Sequence, residues 1–117
     1  MFINALSNFL EKLASEEDLD EWYLSSFIDE KVYSLSTTEA FELSSHVIEL
    51  LKDEAQPDYT YELLIILLAL QHQSNTTQVP EILKNSPNFF DDLIKNNSEE
   101  YVLSFAHELA QNYRMKL

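Results

Sequence analysis

The chain has 117 residues, 21 Asp and Glu against 7 Lys and Arg, a formal net charge of −14, and neither glycine nor cysteine. This acidity repels DNA, RNA and anionic membranes. The missing cysteine excludes disulfides, thiolate metal sites and a thiol nucleophile, and the missing glycine excludes the Walker loop, the dinucleotide-binding turn and the nucleophile elbow.

The length reads as one helical domain over residues 1–117, enough for one core and too short for two. Apolar residues make up 45% of the chain, too many for a disordered acidic tail. Met1-Phe2-Ile3-Asn4 has no basic n-region and no apolar core after it, unlike a signal peptide. The longest apolar run, Leu63 to Leu70, is far short of the ~20 residues a spanning helix needs. The expected setting is soluble and cytoplasmic.

Helical spacing predicts about seven helices and no strand. Phe2, Leu6, Phe9 and Leu13 form the first apolar stripe, and Leu19, Trp22, Tyr23 and Phe27 the second, behind a Ser15/Asp18 cap. Ser36-Thr37-Thr38-Glu39 is a capping box that opens a third helix with Leu43, Val47, Leu50 and Leu51. Pro57-Asp58 starts a fourth, apolar nearly all round through Leu63, Leu64, Leu67 and Leu68, and so expected at the centre. Pro80 begins a short fifth with Ile82 and Leu83. Ser86-Pro87 reads as an N-cap with proline at the first helical position of a sixth, carrying Phe89, Phe90, Leu93 and Ile94. Ser98-Glu99-Glu100 caps the seventh, with Val102, Phe105, Ala106, Leu109 and Tyr113.

Charge placement supports these boundaries. Lys12, Lys31, Lys52, Lys84, Lys95, Arg114 and Lys116 fall near helix C-terminal ends, and carboxylates such as Asp58, Glu81, Asp91, Asp92 and Glu99 near helix starts. The helix dipole favours both placements. With the cations drawn to helix ends, the other exposed faces are expected to be almost purely acidic.

An internal repeat is visible. Asn8-Phe9-Leu10-Glu11-Lys12-Leu13 matches Asn88-Phe89-Phe90-Asp91-Asp92-Leu93, and Glu21-Trp22-Tyr23-Leu24-Ser25 matches Glu100-Tyr101-Val102-Leu103-Ser104. His46 to Leu51 and Tyr61 to Leu64 occupy the same two slots of a middle copy. Helix pairs recurring about every 40 residues resemble HEAT and armadillo-type repeats. The resemblance implies an all-α fold of three helix-pair units, roughly 1–35, 36–78 and 79–117, stacked as an irregular HEAT-like array. In such a stack the second helices line a concave face that binds proteins.

No motif for catalysis, metal or cofactor emerges, and the chain is expected to be neither an enzyme nor a cofactor protein. Only His46 and Glu49 have helical ligand spacing, and no second such pair accompanies them. Asp91-Asp92 and Glu99-Glu100 are sequence neighbours, which point to different sides of a helix. The acidic run around Glu16, Glu17, Asp20 and Glu21 lacks the spacing of a calcium loop.

The expected activity is therefore binding. In size, charge and helical build the chain resembles bacterial immunity proteins, which neutralise toxic nucleases. The resemblance implies a basic partner, a toxin domain, steered in by charge and held by aromatic anchors. The candidate contacts are Glu16, Glu17, Asp20, Glu21, Asp58, Tyr59, Tyr61, Glu62, Glu100 and Tyr101. The alternative is a helical-repeat adaptor or regulatory subunit that reads a protein or peptide. The sequence carries no signal of oligomeric state.

Overall fold

The computed structural model describes residues 2–14, 23–52, 60–75, 78–86, 88–96 and 100–114. Among them are seven α-helices, one π-helical segment and no strand. The helices are α1 (Phe2–Ala14), α2 (Tyr23–Phe27), α3 (Thr37–Lys52), α4 (Thr60–Ser74), α5 (Glu81–Lys84), α6 (Phe89–Asn96) and α7 (Glu100–Asn112). The π-helical segment, Ile28–Val32, continues α2 without a break.

The core draws on every element. Leu6 and Phe9 come from α1, Phe27 from α2, Ile28 and Val32 from the π segment, Val47 and Ile48 from α3, Leu83 from α5, Phe90 from α6 and Val102 and Leu109 from α7. The Phe9 and Phe27 rings lie 4.7 Å apart. As the apolar pattern predicts, α4 is the centre. Leu64, Ile66, Leu67 and Leu70 are fully buried, and α4 packs against α3, the π segment and α7. Each such side chain contributes about 2 kcal/mol relative to exposure. Contacts also join α6 with α7, α3 with α5 and α1 with the π segment.

The capping box is formed. Ser36 Oγ accepts from the Glu39 amide at 3.1 Å, and a Glu39 carboxylate oxygen accepts from the Ser36 amide at 3.1 Å. Two donors left over at the start of α3 are thus satisfied. The Ser36 amide, and after it the Ser36 side chain, hold the Glu39 carboxyl below its ordinary value. Lys31, Lys52, Lys84 and Lys95 all fall in last turns.

Three features go beyond the sequence reading or depart from it. The π segment is one: Tyr33 N donates to Ile28 O at 3.2 Å, a five-residue step. The start of α6 is the second. Ser86 does not cap it; the helix begins at Phe89, and the Asp92 amide donates to Asn88 O at 2.9 Å. The Ser86 hydroxyl accepts instead from Lys52 Nζ at 2.9 Å, tying the end of α3 to this loop. The third is the end of α4. Without glycine the chain leaves the helix through Asn75 in the left-handed region, φ 52°, which asparagine tolerates better than most residues.

Two polar groups sit deep at the junction of α3 and α7. Ser44 Oγ donates to Ala40 O at 2.9 Å, so its hydrogen is committed to its own helix. Tyr113 is buried, and its hydroxyl has no hydrogen bond of ordinary geometry. Burial pushes its phenol up to about 12, although the nearby Ser44 hydroxyl offsets part of the effect.

Candidate functional site

The side chains of α4 that are not fully buried fall mainly on one stripe. Glu62, Ile65 and Leu68 are half-buried and His72 is exposed, at steps of three, three and four residues. Gln71 marks the side of α4 turned toward α7. Its Nε2 donates to Leu109 O at 3.4 Å, and its Oε1 accepts from Asn112 Nδ2 at 2.8 Å. Gln73 marks another side, where Nε2 donates to Leu35 O at 2.6 Å. By helical rotation the stripe lies between those two sides and away from the face that buries Leu63, Leu67 and Leu70.

On α7, Tyr101, Phe105, Glu108 and Asn112 recur at steps of four, three and four and form the edge that ends at the Gln71 bond. Tyr101 and Glu108 are exposed and Phe105 is half-buried. Glu100 opens α7 and is exposed. Moving back from Gln71 along α4 leads to buried Leu67 and Leu64 and to half-buried Leu68, the member of the α4 stripe nearest α7, and moving back from Asn112 along α7 leads to Glu108, Phe105 and Tyr101. Glu62 supplies the carboxylate of the α4 stripe and Glu108 that of the α7 stripe, whereas Glu100 lies about a quarter turn off the α7 stripe at the exposed start of the helix. Neither α4 nor α7 contains a Lys or an Arg.

This surface holds part of the predicted site. Glu62 and Tyr101 lie on the two stripes, Glu100 is exposed at the start of α7, and Tyr61 belongs to α4, although its side chain is outside the described set. Glu16, Glu17, Asp20, Glu21, Trp22, Asp58 and Tyr59 lie outside the described residues. Glu62 is more enclosed than a rim residue, since its Oε2 is shielded from solvent and has no hydrogen-bond partner. Sequence reasoning passed over Ile65, Leu68 and Phe105, because an apolar residue on a central helix reads as core. It also passed over Leu103, which is 42% exposed on the outer side of α7.

Chemically the surface suits binding. His46 is half-buried, and His72 and His107 are exposed on different helices. Among the described residues no group of three or more His, Asp or Glu is placed to hold a metal ion. Among them, too, no helix is long and apolar enough to cross a membrane. No family model, curated protein or solved structure matches this chain.

Proposed function

We propose that this chain is an acidic binding protein that neutralises a basic partner, and that the partner is a toxin nuclease blocked in the manner of an immunity protein. The observation that carries the reading is the separation of charge. Every described Lys and Arg sits in or just past the last turn of a helix, whereas α4 and α7 have none. Their outward stripes combine the carboxylates of Glu62 and Glu108 with apolar Ile65, Leu68 and Phe105, and Glu100 is exposed at the start of α7. A nuclease needs a basic surface to hold nucleic acid. An acidic surface covers it, and an apolar centre with aromatic anchors slows release.

The contacts among helices support the repeat reading as well. The π segment, α4 and α7 follow one another in packing order, and α3 and α6 each pack on the helix that succeeds them in the proposed units 36–78 and 79–117. In a HEAT-like stack those three would be the second helices, and the α4 and α7 stripes would belong to the binding face. On this reading the protein works as a single domain in the cytoplasm, without a cofactor, and takes neither nucleic acid nor membrane.

The test is binding to purified basic nuclease domains across a salt series, with nuclease activity followed in parallel. The expected result is association that slows steeply as salt screens the charges, a dissociation rate that hardly changes, and loss of activity at equal stoichiometry. Binding that ignores salt and leaves the partner active would replace this reading with the adaptor one.

A further inference from the structure

We propose that Tyr33 is an anchor that takes an arginine side chain of the basic partner, an inference that rests on the reading above. Tyr33 is 53% exposed, above Leu103 and Tyr101 among the exposed large apolar side chains described. Phe9, Phe27, Phe89, Phe90 and Tyr113 are buried, and a ring left in water beside them has no role in the core.

The backbone beneath this ring is held from several directions. Tyr33 N donates to Ile28 O at 3.2 Å, and Leu35 N donates to Val32 O at 3.0 Å. From a distant part of the chain, Gln73 Nε2 donates to Leu35 O at 2.6 Å and approaches Tyr33 O at 3.4 Å. The ring is therefore presented from a fixed turn at the end of a π-helical segment. A pre-positioned aromatic loses little conformational entropy on binding.

The chemistry of the occupant follows from the charge. Ile28 and Val32, four residues apart, share the buried side of the π segment. The next pair in the same register, Asp29 and Tyr33, therefore shares an outer side, and both are exposed. A planar aromatic face beside a carboxylate suits a guanidinium, which stacks on a ring and pairs with a carboxylate through a rigid fork. An ammonium gains less from the ring and cannot form the fork. The net charge of −14 favours a cationic occupant and opposes a second copy of this chain.

The probes are oligo-arginine and oligo-lysine peptides of equal length, titrated against the full chain and against Tyr33→Ala, Tyr33→Phe and Asp29→Asn. The full chain is expected to bind the arginine peptide more tightly than the lysine peptide. Tyr33→Ala is expected to weaken arginine binding by about fivefold and to abolish the preference. Tyr33→Phe should keep most of it, because the ring is what stacks, and Asp29→Asn should reduce it. An unchanged thermal midpoint shows that each variant is folded. Equal binding of the two peptides, or a preference that survives in Tyr33→Ala, overturns the proposal and leaves the acidic binding reading standing. Failure to bind either peptide at low salt overturns both.

Discussion

Gln71 and Asn112 meet across the α4–α7 junction, the Asn112 side-chain amide donating to Gln71 Oε1 at 2.8 Å. Gln71 is only 4% exposed, at the point where the apolar run Leu63 to Leu70 of α4 gives way to its polar last turn. Its bond to Leu109 O is buried and its bond to Asn112 part-buried, so both form where water competes poorly.

The two residues should show unequal costs. Asn112→Ala leaves a buried oxygen unsatisfied and is expected to cost about 1–2 kcal/mol. Gln71→Met keeps the volume and removes the buried polar group, and Leu109 O retains the Tyr113 amide at 3.0 Å. Its cost should be smaller, about 1 kcal/mol. Urea denaturation of both single variants and the double variant gives the coupling directly. Additive costs would mean that the bond contributes nothing to stability.

Tyr113 carries the opposite expectation, because its buried hydroxyl has no hydrogen bond of ordinary geometry. Tyr113→Phe removes that group without opening a cavity and is expected to stabilise the fold by about 1 kcal/mol at neutral pH. The pH dependence has a definite sign. The ordinary value of the phenol is 10.0, and burial pushes it up to about 12 in the folded chain. Its contribution is fully present below pH 10, where both states keep the proton. Above it the unfolded chain ionises first, so stability falls as pH rises through that window, by at most about 3 kcal/mol. Denaturation curves at pH values spanning the window should converge on those of Tyr113→Phe at the low end in slope and diverge at the high end. Parallel pH profiles would show that Tyr113 ionises alike in both states.

The capping box at Ser36 and Glu39 gives an acid-side expectation. Ser36→Ala is expected to cost about 1 kcal/mol by exposing the amides at the start of α3. The Glu39 carboxyl is held below its ordinary value, so its contribution is present at neutral pH and lost as pH falls through the folded value. Glu39→Gln keeps an acceptor for the Ser36 amide and should remove that acid sensitivity. The difference in thermal midpoint between the two chains, followed from neutral to acid pH, tests it; a constant difference would sink the idea.

Much of the fold was legible because local chemistry and global packing agree. Ser36 and Glu39 are spaced for a reciprocal cap, and the unbroken apolar run of α4 has no polar side to offer solvent. Other features were not legible for physical reasons. The four-residue step from Ile28 to Val32 suits an α-helix as well as a π-helix, so the widened turn leaves no trace in the pattern. Ser86-Pro87 has the residue types of a cap, but Lys52 reaches the hydroxyl from a remote helix. The bonds of Gln71 and Gln73 leave no sequence signal, because periodicity says nothing about which carbonyls lie across a junction. At the site, Glu100 and Tyr101 were visible as an acidic, aromatic helix start. Ile65 and Leu68 were not, since only packing tells a half-covered apolar residue from a buried one.

The α4–α7 surface leads to a kinetic separation. Glu100 and Glu108 are exposed on a helix without Lys or Arg, so they should act on a basic partner at a distance, before contact. Reversing both, Glu100→Lys with Glu108→Lys, is expected to slow association by about tenfold at low salt and to leave little difference at high salt. Tyr101 is 37% exposed and acts only at contact, so Tyr101→Ala should raise the dissociation rate and spare association. Glu100 also lies in the first turn of α7, where a cation opposes the helix dipole by about 0.5 kcal/mol. The single Glu108→Lys variant avoids that cost and serves as the control for folding. Stopped-flow association and dissociation measured on the same variants decide the matter. Charge reversals that change only dissociation would mean that these carboxylates form local pairs and do not steer, and the surface would lose its claim to the partner's approach.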